Sequence, residues 1–178
     1  MKRKTIIIII VMVAIAIAIG AYLMRPLSPS KTESLSSNGL DVLVKYSRPY
    51  KKGRLIFGEA SQNALVPFGS SWRLGANAAT EITFNKDITF AGKVVKSGSY
   101  RMYAIPAEKT WQVILNSGLG KSGAEEPERT LDILNVEVES KSISTETEQF
   151  TIDLEDKGAE IIMRFIWDRT EVVIPIQH

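Results

Sequence analysis

Lys93–Leu115 reads KVVKSGSYRMYAIPAEKTWQVIL, and its pattern decides the fold class. Lys93–Val95 is a short β-branched run. Lys96-Ser97-Gly98 is a tight turn, and Ser99–Ile105 then alternates with period two. Tyr100, Met102 and Ala104 fall on one side and Arg101, Tyr103 and Ile105 on the other. A side-chain period of two is that of a strand, not a helix. Pro106-Ala107-Glu108-Lys109 turns the chain into a further strand, Trp111–Leu115.

The same grammar extends in both directions. Asp41–Ser47 sets Val42, Val44 and Tyr46 on one face. Glu81–Phe84 and Ile88–Phe90 flank Asn85-Lys86-Asp87, which reads as a hairpin turn. Beyond a polar, glycine-rich loop over Asn116–Glu128 come Leu131–Val138 and Phe150–Leu154, then a turn at Asp156-Lys157-Gly158. Ala159–Trp167 and Glu171–Ile176 read as a last hairpin around Asp168-Arg169-Thr170. Nothing between Leu40 and the C-terminus sustains a helical period for three turns. The expected fold is all-β, an antiparallel β-sandwich of about nine strands over residues 40–178.

The first 25 residues differ in kind. Lys2-Arg3-Lys4 precedes an apolar run from Ile6 to Met24, closed by Arg25-Pro26. A run of this length exceeds the apolar core of a signal peptide, about 7–15 residues, and approaches the roughly 20 of a spanning helix. The expectation is a single transmembrane anchor through residues 6–24, with the basic N-terminus in the cytoplasm and the domain exported, periplasmic or at the cell surface. The rival is a signal peptide cut near Ala18-Ile19-Gly20, which leaves a secreted domain. Serine-rich residues 26–39 read as a flexible linker.

Composition removes several chemistries. The chain has no cysteine and a single histidine, His178, at the C-terminus. Thiolate nucleophiles, histidine triads and histidine–thiolate metal sites have no residues to use, so neither a metal nor a cofactor is expected. The net charge is +2, but residues 1–39 carry five basic and one acidic side chain, so the domain itself carries −2. The basic balance belongs to the targeting segment and gives no reason to expect nucleic acid. Within the domain, 40–111 carries +6 and 112–178 carries −8. Strands from the two halves can offset each other, or a basic face can meet anions. Gly120-Lys121-Ser122 matches the end of a phosphate loop, but the upstream glycine is missing and no helix follows.

The segment that fits neither strand nor helix is Leu65–Thr80, LVPFGSSWRLGANAAT. It and its neighbours carry the binding candidates: Arg48, Arg54, Trp72, Arg73 and Asn77. Arginine forks suit carboxylate, phosphate or sulfate, and they also stack on rings. These side chains would line a pocket for a small anionic or saccharide ligand. In the competing reading Trp72 fills the core, Arg48 and Arg73 bond loop carbonyls, Gly69 and Gly75 take positive φ, and Asn77 closes a turn. Carboxylate-only catalysis, a hydrolase or isomerase, would fall to Glu59, Glu81 or Asp168. Those three have pairing with Arg54, Arg73 or Arg169 as their structural alternative.

Several of these residues form a long pattern. It runs through Tyr46-Ser47-Arg48-Pro49, Lys52-Gly53-Arg54-x-Ile56-Phe57-Gly58 and Leu65-Val66-Pro67-Phe68-Gly69-x-x-Trp72-Arg73-x-Gly75-Ala76-Asn77-x-Ala79-Thr80. Gly98-x-Tyr100, Ile105-Pro106 and Trp111-x-Val113-Ile114-x-Asn116 complete it. The pattern resembles an uncharacterised bacterial family, the domain of unknown function numbered twenty-nine eleven, over about Leu40–Ile176. The resemblance implies an exported or membrane-anchored protein of Bacteroidetes-type bacteria and implies no activity. Family members often carry an acid before the tryptophan; Ser71 stands there, so a general acid at that point finds no support. The reading is an outward-facing, non-catalytic binding or envelope-interaction module, with the carboxylate-dependent enzyme as its alternative.

Overall fold

A computed structural model describes residues 3–23 and 27–177. The chain forms a helix, α1 (Arg3–Leu23), then eleven strands: β1 (Ser30–Ser37), β2 (Leu40–Ser47), β3 (Phe57–Gly58), β4 (Val66–Pro67), β5 (Thr80–Phe84), β6 (Ile88–Phe90), β7 (Lys93–Val95), β8 (Gly98–Pro106), β9 (Thr110–Asn116), β10 (Asp132–Asp156) and β11 (Ile161–Gln177). Nine of them make one sheet in the order β1-β2-β5-β8-β9-β10-β11-β6-β7, every pair antiparallel. β3 and β4 form a separate parallel pair. The all-β, antiparallel expectation therefore holds, but as one continuous sheet rather than two.

Continuity comes from β10. Its first part, to Glu139, pairs with β9, and from Ser140 onward it pairs with β11. Register breaks between Ser142 and Thr151 let the strand bend there. The bend brings the two ends of the sheet face to face. Tyr46 on β2 donates to the Ile152 carbonyl of β10 (3.1 Å) and accepts from the Ile152 amide (2.9 Å), so one hydroxyl stitches the layers together. Burial raises the Tyr46 pKa above its usual value. Between the layers lies a ring cluster of Phe57, Trp72, Trp111, Phe150 and Trp167. Trp72 stacks on Trp167 at 5.7 Å and meets Phe150 edge-on at 4.9 Å.

Several local expectations change. Residues 30–37 are not a flexible linker: β1 pairs with β2 along its whole length through the turn Asn38-Gly39, both at positive φ. Asn-Gly is the strongest short hairpin signal, because both residues tolerate that turn's backbone. Asn85-Lys86-Asp87 does not close a hairpin. β5 pairs with β2 and β8, while β6 and β7 pair around Ala91-Gly92 at the far edge of the sheet. Lys96-Ser97-Gly98 likewise returns the chain from that edge to β8 instead of joining neighbours. Asp168-Arg169-Thr170 is not a turn either. Asp168 takes φ 53° and kinks β11, which continues through it opposite β10.

The expected membrane span is also revised. α1 is one 21-residue helix, but no helix among the described residues is long and apolar enough to cross a membrane. Met24, Arg25 and His178 lie outside the described residues.

Candidate functional site

The Leu65–Thr80 segment lies where β5 stops. β8 pairs with β5 only as far as Met102, opposite Thr80. Beyond that point Trp72 takes over the ladder, exchanging two backbone hydrogen bonds with Ala104 (2.7 and 2.8 Å), and the Gly69 amide reaches the Pro106 carbonyl (2.8 Å). The segment thus satisfies a strand edge that would otherwise be bare. Inside it, the Trp72 indole donates to the Gly75 carbonyl (3.2 Å) and the Thr80 hydroxyl to the Leu74 carbonyl (2.8 Å). Leu74 and Asn77 are left-handed, at φ 51° and 59°. A Cβ on Gly75 would stand 2.5 Å from the Ser47 carbonyl oxygen, so only glycine passes β2 here.

The corner is also the wall of a groove of about 440 Å³. Trp72 and Trp167, both buried, form its floor. Lys52, Arg54, Arg73 and Asn77 stand at its rim, with Ser28, Pro49 and Tyr50 beside them. Among the described residues no aspartate or glutamate lines it. The Arg54 guanidinium is oriented by the Lys51 carbonyl (2.9 Å) and the Tyr50 carbonyl. Arg73 makes only a long contact to the Asn77 carbonyl (3.4 Å), and Asn77 holds the Ser28 carbonyl (3.2 Å). Both arginines bond neutral oxygens, so neither positive charge is offset within the groove.

Of the five binding candidates, Arg54, Trp72, Arg73 and Asn77 are brought together. Arg48 is not. Its Nε donates to the Phe150 carbonyl (3.1 Å) and its Nη2 to the Thr151 hydroxyl (2.8 Å), holding β2 to β10 away from the groove. Sequence proximity to Tyr46 suggested a pocket role; the side chain serves a strand carbonyl and a strand hydroxyl instead. Lys52, Tyr50 and Trp167 line the groove without having been singled out. Trp167 carried no signal, because it sits about a hundred residues away on a strand.

The three carboxylates do not converge. Glu59 is exposed and closes a capping box with Gln62 on a short 3-10 turn, Ala60–Gln62. Glu81 accepts from the Gly120 amide (3.2 Å) beside a different cavity. Asp168 pairs with Lys51 at 2.7 Å, not with Arg169. Glu146 shares the same lysine at 2.9 Å and is held below the usual carboxylate range by that hydrogen bond. Among the described residues no group of histidine, cysteine, aspartate or glutamate side chains could hold a metal.

A second polar cluster lies on the opposite face of β8, where Arg101, Tyr103 and Asn116 are all buried. The Tyr103 hydroxyl meets both Asp132 oxygens (2.8 and 2.7 Å) and accepts from Arg129 (2.5 Å), whose guanidinium also lies over the ring at 4.9 Å. Burial first, then the Asp132 carboxylate, push the Tyr103 pKa well above its normal value. Asn116 donates to Asp132 (2.7 Å) and to the Glu128 carbonyl (2.8 Å).

The family model for the protein of unknown function DUF2911 matches residues 28–176, which includes β1 and both polar regions. The chain belongs to the DUF2911 family. No curated protein and no solved structure matches it. The DUF2911 match begins two residues before β1, in agreement with a domain that starts at the serine-rich strand rather than at Leu40.

Proposed function

We propose that this DUF2911 domain is a non-catalytic binding module for a small organic anion with a flat or apolar body. One observation carries the reading: the groove sets three cations around an indole floor and contains no acid. Charge-assisted hydrogen bonds from preorganised guanidinium groups favour a carboxylate, and stacking on Trp72 and Trp167 favours a ring or sugar plane. A neutral saccharide would use the floor and leave the arginines idle. The test is a thermal-shift titration of the full chain with benzoate, glucuronate and glucose. The two anions should raise the melting temperature, and Arg73→Ala should weaken the response roughly tenfold, the worth of one charge-assisted bond of about 1.5 kcal/mol. A response to glucose alone, or one indifferent to Arg73→Ala, overturns the proposal.

We further infer that the domain is exported, carried by the basic N-terminus and the apolar helix as a targeting segment. N-terminal sequencing of the exported chain shows whether that segment is removed. Recovery of the uncleaved chain in the cytoplasmic fraction alone refutes export.

A further inference from the structure

Arg101 is a buried cation with no ion-pair partner among the described residues. It sits in the middle of β8, 3% exposed, and its Nε has no hydrogen-bond partner. Nη2 donates to the Glu125 carbonyl (2.6 Å), a neutral oxygen. No carboxylate among the described residues forms an ion pair with it. Glu81, directly opposite Arg101 on β5, accepts from the Gly120 amide (3.2 Å), and Asp132 is taken up by Tyr103 and Asn116. A guanidinium withdrawn from water without an opposite charge is costly, and proteins retain one where something supplies that charge.

The surroundings leave room for it. Arg101 lines a cavity of about 140 Å³ with Asn116, Lys121 and the loop acids Glu125, Glu126 and Glu128, roofed by the loop of residues 117–128. It also lines a smaller recess with Tyr103, Arg73, Glu125 and Glu126. The loop is fixed over the site by the bridge between Ala78 and Ser122 and by Gly123, where a Cβ would collide with the Asn77 backbone. Glu125, Glu126 and Glu128 are on the loop, all exposed. Glu125 caps the Ser122 amide (3.3 Å) and Glu128 accepts from Thr130 (2.8 Å), so these two carboxylates bond within the loop itself, while Glu126 lines the cavity.

We propose that the Arg101 cavity is a second binding site, distinct from the indole groove, that takes one small oxyanion, a carboxylate or a phosphate. Arg101 supplies the buried charge and Lys121 the charge at the mouth, while the loop glutamates limit affinity and exclude larger polyanions.

The experiment is a calorimetric titration of the full chain with inorganic phosphate and, separately, acetate at constant ionic strength. At least one should bind saturably, and comparing the two identifies which oxyanion the cavity prefers. Arg101→Met should weaken binding at least tenfold without lowering the melting temperature, because it removes an uncompensated charge. Lys141→Ala, at an exposed cation outside both cavities, should leave the binding unchanged. Glu126→Gln should strengthen it several-fold, and it tests the site even where Arg101→Met fails to fold. Absence of saturable binding to both anions overturns the proposal, as does binding that survives Arg101→Met or is lost with Lys141→Ala. A Glu125→Gln/Glu126→Gln chain that melts lower and gains no affinity also overturns it, because the loop would then be supplying the counter-charge.

Discussion

At its centre β8 is buried on both faces, and the two are chemically opposite. Met102 and Ala104 point into the core, where Ala104 pairs with Trp72 beneath the ring cluster. Arg101 and Tyr103, one residue out of phase, point to the other side and are just as inaccessible. The first face is buried by the fold of the sheet. The second is buried by a loop laid over it, so its burial holds polar groups that must find partners. Tyr103 finds them all; Arg101 does not. Core burial yields stability, whereas burial under the loop creates a site.

The sharpest way to break this contrast is Trp72→Ala. Trp72 is 7% exposed and packs against Phe57, Trp111, Phe150 and Trp167. Removing such a side chain from a core costs about 3–5 kcal/mol. Chemical denaturation should show that loss, together with loss of any response at the groove whose floor it forms. A smaller effect is expected on the polar face from Tyr103→Phe. Loss of the hydroxyl leaves Asp132 and Arg129 short of a partner, at a cost of about 1–3 kcal/mol at neutral pH. The same variant has a signature in pH. The folded-state pKa of Tyr103 is raised, so its contribution is fully present below the unfolded value of about 10 and is lost as pH rises through the folded value. Stability of the parent chain should therefore fall above pH 10 more steeply than that of Tyr103→Phe. Parallel alkaline limbs would show that the hydroxyl is not held neutral by the fold.

The core face was readable and the polar face was not, for a physical reason. Alternation assigns Met102 and Arg101 to opposite sides of β8, but it cannot say whether the second side meets solvent. Here the answer lies with residues 117–128, whose composition marks only a loop. The groove was half legible. Arg54, Trp72, Arg73 and Asn77 stood out because they interrupt a β pattern, whereas Trp167 joins them only through β10–β11 pairing. Arg48 illustrates the converse: an arginine in the right company, consumed by the Phe150 carbonyl. Strand partners were the least legible feature. Asn85-Lys86-Asp87 has good turn residues, but β5 gains more from pairing with β2 and β8 along its length than from a hairpin with the three-residue β6. Asn38-Gly39, by contrast, announced its hairpin in the sequence, and only the weak periodicity of the serines beside it concealed β1.

The smallest expected effect belongs to a cluster outside both faces, and it shows what burial adds. Lys51 bonds Asp168 and Glu146 near the surface. The hydrogen bond to Asp168, then that to Glu146, raise the lysine pKa, and the lysine in turn lowers that of Glu146. The glutamate's contribution is present above its unfolded pKa and is lost as pH falls through its lowered folded value. The lysine's is present below its unfolded pKa and is lost as pH rises through its raised folded value. Lys51→Met should flatten both limbs slightly. At mid-pH it should lower the melting temperature less than Tyr103→Phe does, since water and salt partly screen a half-buried pair near the surface. A Lys51→Met loss as large as that of Tyr103→Phe would mean that covering the polar face of β8 adds nothing to the strength of its network, and the contrast drawn from Arg101 and Tyr103 would fail.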